Sequence, residues 1–293
     1  MKLGYVCTNY NNARSTRDAV ESFVDAGRGH DIRIAVVDNA SRADDVDQLR
    51  AIARDTPVVD LLLNDKNLGY FPGLNAGIEH LRAVAPEIRH VVIGNNDLVF
   101  PADFVDTVER HQDVLDTWAV VAPDLVTSSG AHQNPHVLHP LSRVRRAIWD
   151  VYFAAYPLGR MVKWLASATK RFTIRPENAP ESQLHRTSGP IEQGYGACYL
   201  LGPKFFAHFS RLAAPTFLMQ EEYFLYEQLL TIGQLTYYEP RFVVQHRGHA
   251  TMDSLPTRRH WEIGRDAHRV YKRFRSLPMN ERRAFLTNGT AHA

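Results

Sequence analysis

The chain has 293 residues, 44% hydrophobic and 23% charged, which allows one sizeable core or one large domain with an appendage. Its formal net charge of +2 argues against a dedicated nucleic-acid binder, and no apolar run approaches the ~20 residues that a membrane span needs. The two cysteines, Cys7 and Cys198, lie in apolar surroundings with no disulfide or zinc spacing, so a reducing, cytoplasmic setting is expected.

The first residues run straight into a strand pattern and lack the long apolar core and cleavage site of a signal peptide. Residues 4–8 read as a buried strand ending in the polar cluster Thr8-Asn9-Tyr10-Asn11-Asn12. Helical spacing follows over 15–26 (Ala19, Val20, Phe23, Val24), with Ser15 or Thr16 as the N-cap. A second strand at 33–37 ends in Asp38-Asn39-Ala40-Ser41, followed by a helix around 45–53 and a third strand at 58–63. Asn64 to Gly77 reads as a loop running into a helix that ends near Val84. The run Arg89-His90-Val91-Val92-Ile93-Gly94 has no polar alternation, the mark of a strand buried on both faces, and it delivers Asn95, Asn96 and Asp97 at its carboxyl end. Taken alone, that trio is equally a turn. Strands alternating with helices predict an α/β fold: a mostly parallel central sheet with flanking helices and ligands at the carboxyl ends of the strands.

Beyond it, the pattern predicts a helix from Pro101 to about Leu115, a short strand at 118–122 and a polar loop over 127–140 with three histidines. Residues 141–175 interleave basic and aromatic side chains, with Asp150 the only acid. They suit either a membrane-surface element or a helical insert whose aromatics pack on the core. A mobile loop is expected over 176–190, a core strand at 194–201, a helix over 216–232 and strands at 235–238 and 242–245. A basic amphipathic helix over 257–276 and a frayed tail after Leu286 complete the chain.

Six short motifs occur in a telling order. Val36-Val37-Asp38-Asn39-Ala40-Ser41, Asn67-Leu68-Gly69-Tyr70 with Gly73, Asn75 and Gly77, and Asn95-Asn96-Asp97 resemble the nucleotide-binding half of a family 2 glycosyltransferase. Gly196-Ala197-Cys198-Tyr199-Leu200-Leu201, Phe217-Leu218-Met219-Gln220-Glu221-Glu222 and His246-Arg247-Gly248-His249-Ala250-Thr251 continue the likeness, which covers roughly residues 3–252. It is most similar to the branch of rhamnosyltransferases and other O-antigen or capsule enzymes. The resemblance implies a GT-A fold with a nucleotide-sugar half at 1–125, an acceptor half at 126–252 holding the insert 141–175, and a C-terminal basic helix and tail. It also implies an inverting transfer from a nucleotide-diphosphate sugar, dTDP-rhamnose or a UDP-sugar, to a saccharide or lipid-linked saccharide, with peripheral membrane contact possible and no nucleic-acid partner.

Site roles follow from the same likeness. Asp38 can accept from a pyrimidine ring N–H, as well as cap the next helix, with Thr8, Tyr10, Asn11 and Asn39 around the base. Asn67, Gly69 and Asn75 offer side-chain bonds and close backbone approach to a ligand. Asp97 anchors Mg²⁺ or Mn²⁺, His246 is a second metal or diphosphate contact, and Asn95 and Asn96 stand beside them. The family pattern is often Asp-x-Asp, so Asn95 offers a weaker ligand than a carboxylate would. Glu221 or Glu222 is the general base, the alternative being a solvated helix face. The rival readings are a non-catalytic nucleotide-sugar binder and a sugar nucleotidyltransferase; the latter needs a Gly-rich basic loop that residues 8–14 lack.

Overall fold

The computed structural model describes residues 1–138, 143–170, 180–248 and 257–288. His139, the start of the expected 176–190 loop, His249 to Thr251 of the last motif and the chain beyond 288 lie outside the described residues. Strand and helix alternate at the start as β1 (Lys2–Asn9), α1 (Ala13–Ala26), β2 (Asp31–Asp38), α2 (Ala43–Asp55), β3 (Val59–Leu63), α3 (Tyr70–Val84) and β4 (His90–Asn95). β1 pairs in parallel with both β2 and β4, and β2 with β3. The register sets Asn9 opposite Asp38 and Thr8 opposite Asn95, so the polar ends of three strands share one edge of the sheet.

Successive side chains leave a strand on opposite faces, and each face has its own core. Tyr5, Cys7, Ile34 and Val36 pack with Phe23 of α1 and Leu49 of α2. Val6, Ala35, Val37 and Ile93 pack with Phe71, Leu74 and Ile78 of α3. Cys7 and Cys198 are buried, and burial pushes the Cys7 thiol up to about 12, so they behave as small hydrophobes.

The chain continues through β5 (Leu98–Val99), α4 (Phe104–Arg110), α5 (Gln112–Thr117), β6 (Val120–Thr127), α6 (Arg143–Ala154) and α7 (Tyr156–Lys170). After a 3₁₀ turn at Pro180–Arg186 come β7 (Gly189–Ile191), β8 (Cys198–Leu201), α8 (Pro203–His208) and α9 (Glu221–Leu230). β9 (Thr236–His246), α10 (Thr257–Ser276) and α11 (Met279–Asn288) end the described chain. The open sheet runs β3-β2-β1-β4-β8-β6-β9-β5, with β7 on β9. Parallel pairing is confined to the first four strands and the β6–β9 pair, because β8 enters antiparallel between β4 and β6. Phe224 of α9, Tyr271 and Phe274 of α10 and Leu286 of α11 form a third cluster that fixes the C-terminal helices.

Several boundaries differ from expectation. Neither Ser15 nor Thr16 caps α1; Asn12 holds that position without a side-chain cap bond, and Ser15 Oγ donates to Asn12 Oδ1. Pro72, Gly73, Asn75 and Gly77 lie inside α3, not in a loop. The helix expected from Pro101 is two short helices broken at His111, whose φ of −121° is not helical. The helix expected from Thr216 begins only at Glu221, since Met219 and Gln220 have φ of 71° and 67°, which a right-handed helix forbids. The two strands expected near 235–245 are the single β9, and residues after Leu286 continue α11 to Asn288.

Candidate active site

A cavity of about 430 Å³ opens at the carboxyl ends of β1 and β4, within the usual range for a small-molecule site. Thr8, Asn9, Tyr10 and Asn12 line it from the end of β1, Asn39, Asn67, Gly69 and Tyr70 from the next two crossovers, and Asn95, Asn96 and Asp97 from the turn after β4. Across from them stand Tyr195 to Ala197, Leu218 to Glu222, and His246. The half-exposed Tyr10 ring presents a stacking surface at the mouth.

The trio at 95–97 is both a turn and a site. β4 ends at Asn95, the chain turns through Asn96 and Asp97, and β5 pairs antiparallel with β9, setting Leu98 opposite His246. The Arg247 N–H donates to the Asp97 carbonyl at 3.0 Å. Two strands about 150 residues apart in sequence therefore bring Asp97 Oδ1 to 3.3 Å from His246 Nε2. Asp97 Oδ1 is buried and has no hydrogen-bond partner. Gln133 Oε1 lies 2.7 Å from His246 Nδ1, a contact that orients the ring with Nε2 toward Asp97. A carboxylate oxygen and an imidazole nitrogen at this spacing suit a shared cation: cis donors about 2.1 Å from an octahedral Mg²⁺ lie ~3 Å apart. Among the described residues no group of three or more His, Cys, Asp or Glu is clustered to hold a metal. Asp97 and His246 could thus supply two ligands, the remainder being diphosphate oxygens and water. Asn95 Nδ2 sits 3.4 Å from His246 Nε2 and so contacts the imidazole. The Asn96 amide donates to Thr16 Oγ1 at 2.8 Å, which makes it part of the floor.

Glu221 and Glu222 open α9 but sit in different surroundings. Glu221 is buried with Oε1 lacking a hydrogen-bond partner. Burial, reinforced by the neighbouring Glu222, pushes its carboxyl up to about 8, so it is protonated at neutral pH. Glu222 Oε1 accepts the Gly196 N–H at 3.2 Å, which orients the carboxylate. A Cβ at residue 196 would stand 2.4 Å from that oxygen and would push the Glu222 carboxylate out of this position. The Tyr70 hydroxyl donates to the Gly196 carbonyl at 2.8 Å, tying the same loop to α3.

Gly69 makes the close approach that its motif suggests, but to protein. It has φ of 93°, and a Cβ there would lie 2.0 Å from the Phe217 carbonyl oxygen. The same oxygen accepts the Tyr70 N–H at 3.0 Å. This contact clamps the strained 217–220 segment, and hence the glutamate pair, against the start of α3. Gly73 and Gly77 likewise let α3 close on Thr8, Asn39 and Val6 of the sheet. Gly248 has a φ of 70°, the left-handed region that favours glycine.

Three expected contacts stand behind the cavity wall. Asp38 is 1% exposed, with its oxygens taken by Asn9 Nδ2 and by the Ser41 N–H and hydroxyl. Asn75 exchanges two hydrogen bonds with the Leu212 backbone. Asn11 accepts from the Arg42 N–H and gives its own backbone N–H to Ser41 Oγ. All three hold loops in place, and none of them lines the cavity. Asn39 does line the cavity, with its amide committed to the Gly69 carbonyl and Asn64, and Asn67 accepts the Gly69 N–H. Asn9 and Gln133 carry more than the sequence suggested. Asn9 is fully buried, bonding Asp38 and Asp45 and accepting from Thr16. Its signal was its place in the polar cluster; Gln133, inside a polar loop, gave none.

An open mixed α/β sheet with polar loops at its carboxyl edge, and one cavity there lined by Asp97, His246 and two glutamates, is the GT-A type of fold. The family model of Glycosyl transferase family 2 matches residues 6–153, just over half of the chain. The chain belongs to that family and is a glycosyltransferase. No curated protein matches it.

Proposed function

We propose that the protein is an inverting glycosyltransferase that takes a sugar from a nucleotide-diphosphate donor, dTDP-rhamnose or a UDP-sugar. The acceptor is a hydroxyl of a surface polysaccharide or lipid-linked saccharide, as in rhamnosyltransferases of O-antigen or capsule assembly. The observation that carries this reading is the convergence of Asp97 Oδ1 and the Glu222 carboxylate on one cavity. Thr8 and Tyr10 hold the base and Asn39 and Asn67 border the ribose, while Asp38, Asn11 and Asn75 keep the surrounding loops in shape. Asp97 and His246 would hold Mg²⁺ or Mn²⁺, which would act as a Lewis acid toward the departing diphosphate.

Glu222 is the better base of the pair. Burial keeps most of the Glu221 carboxyl protonated at neutral pH, which favours Glu222 as the group that takes the proton. Glu222 is oriented by the Gly196 N–H through one oxygen, and its other oxygen takes the proton of the acceptor hydroxyl. The hydroxyl oxygen bonds to the anomeric carbon from the face opposite the diphosphate, the bond from that carbon to the leaving oxygen breaks, and the nucleoside diphosphate departs with the bond electrons. Inversion follows from that single displacement.

The test is slow donor hydrolysis without an acceptor. UDP-sugars and dTDP-rhamnose are incubated with protein and Mn²⁺, and released nucleoside diphosphate and sugar are followed by NMR. The proposal expects release, with the sugar first appearing in the anomeric configuration opposite to the donor's. Retained configuration would overturn the inverting mechanism, and binding without release from any donor would favour the non-catalytic reading.

A further inference from the structure

The insert over α6 and α7 has an unusual surface. Val144, Ile148 and Val151 recur at helical spacing on one face of α6, and Leu158, Met161 and Leu165 on one face of α7; all six are exposed. With Trp149 and Trp164 they make eight of the seventeen large hydrophobics exposed on the described surface, concentrated in 22 residues. Such a concentration marks an interaction surface, since scattered apolar residues need no explanation. The inner face is packed separately: Tyr152 is buried, its carbonyl accepts the Trp261 indole N–H at 3.0 Å, Phe153 lies against His268 of α10, and the partly exposed Trp149 stacks on Phe153. The inner face of the insert is thus packed on α10, and the two stripes lie on its exposed side.

Charge identifies the occupant. Residues 143–170 carry six Lys or Arg against Asp150 alone, a formal +5 in a chain whose total is +2. Asp150 is itself engaged by His268 and Lys272 of α10. A second copy docking here would set +5 against +5, which like-charge repulsion disfavours. A nucleic acid would leave the apolar stripes without a partner. An interface that offers hydrocarbon beneath a negative surface satisfies both features.

We propose that the α6–α7 hairpin docks the protein on an anionic lipid surface, with its apolar stripes in the headgroup boundary and Arg160 and Lys163 against lipid phosphates. The hairpin lies close to the cavity. Phe153 of α6 and Met219 of the cavity lining both crowd Gly264 of α10, where an added Cβ would stand 2.9 and 3.1 Å from them. Docking therefore brings the cavity wall near the bilayer, where a lipid-borne acceptor would be; only this last step rests on the glycosyltransferase reading.

The test is vesicle co-flotation of the full chain with phosphatidylcholine alone or with about 30% phosphatidylglycerol, at low and high salt, for the wild type, Val144→Asp/Trp164→Asp and Arg160→Glu/Lys163→Glu. Val144 and Trp164 are 71% and 68% exposed, so these changes leave the core alone. The wild type is expected to float at least tenfold more with anionic vesicles, weaken in high salt, and lose at least tenfold in either variant with Tm and nucleoside diphosphate binding unchanged. Equal binding to neutral vesicles, no binding to either, or unaltered variants would overturn the proposal. So would a concentration-dependent dimer, abolished by Val144→Asp/Trp164→Asp, in a chain that ignores vesicles. Flotation does not depend on catalysis, so its failure and that of donor turnover are distinguishable.

Discussion

Replacing Glu221 by glutamine is expected to stabilise the protein above pH 8 and to change little near pH 5. The Glu221 carboxyl is raised from an ordinary 4.5 to about 8, by burial first and by Glu222 second. The folded state therefore holds this proton more tightly than the unfolded chain. Its contribution is fully present below about 4.5, falls as pH rises, and is lost once pH passes 8. At about 1.4 kcal/mol per tenfold change in affinity, the bound on that loss is about 5 kcal/mol. Relaxation and water entry around the ionised group reduce it, leaving ~2–3 kcal/mol. A glutamine side chain in its place would keep the shape and never ionise. For a chain of this size the difference corresponds to roughly 5 °C in Tm. Thermal denaturation of both proteins at pH 5.5 and 8.5 reads it directly. A Tm difference that is the same at both pH values would refute the protonated, buried Glu221.

The same arrangement separates the two glutamates in turnover: Glu222→Gln should lower kcat by roughly a hundredfold or more, and Glu221→Gln by far less, in donor-hydrolysis or transfer assays at pH 7. Equal, mild effects would sink the base assignment. Gly69→Ala forces a side chain to φ of 93° and into the Phe217 carbonyl; chemical denaturation should show a loss of about 2–4 kcal/mol. Gln133→Leu frees the His246 imidazole from its orienting acceptor, and a Mn²⁺ titration should show affinity weakened by about 10- to 100-fold.

The first half of the fold was legible because β1, β2 and β4 are buried on both faces, leaving apolar runs such as Val91-Val92-Ile93 between polar ends. The limits of α10 match the expected 257–276 because its amphipathic pattern is uninterrupted. Boundaries failed where backbone conformation overrode composition: Met219 and Gln220 read as helix-compatible, yet both adopt left-handed angles just after Phe217 docks on Gly69 and Tyr70. The site was legible as a set of strand ends and hidden as a network. Nothing in Asp38 or Asn75 announces that its polar atoms are spent on Ser41 or Leu212, because hydrogen-bond partners are set by tertiary approach. The glutamate pair looked symmetric in sequence; burial of one and the Gly196 N–H on the other separate them.

The central claim is that Asp97 and His246 form a metal-dependent seat for a nucleoside diphosphate. Calorimetric titration of UDP and dTDP into the wild type and Asp97→Ala, each with Mn²⁺ and with EDTA, tests it most directly. The wild type should bind at least tenfold more tightly with Mn²⁺ than with EDTA, and Asp97→Ala should bind weakly in both. Metal-dependent binding by Asp97→Ala as tight as the wild type's would contradict the assignment.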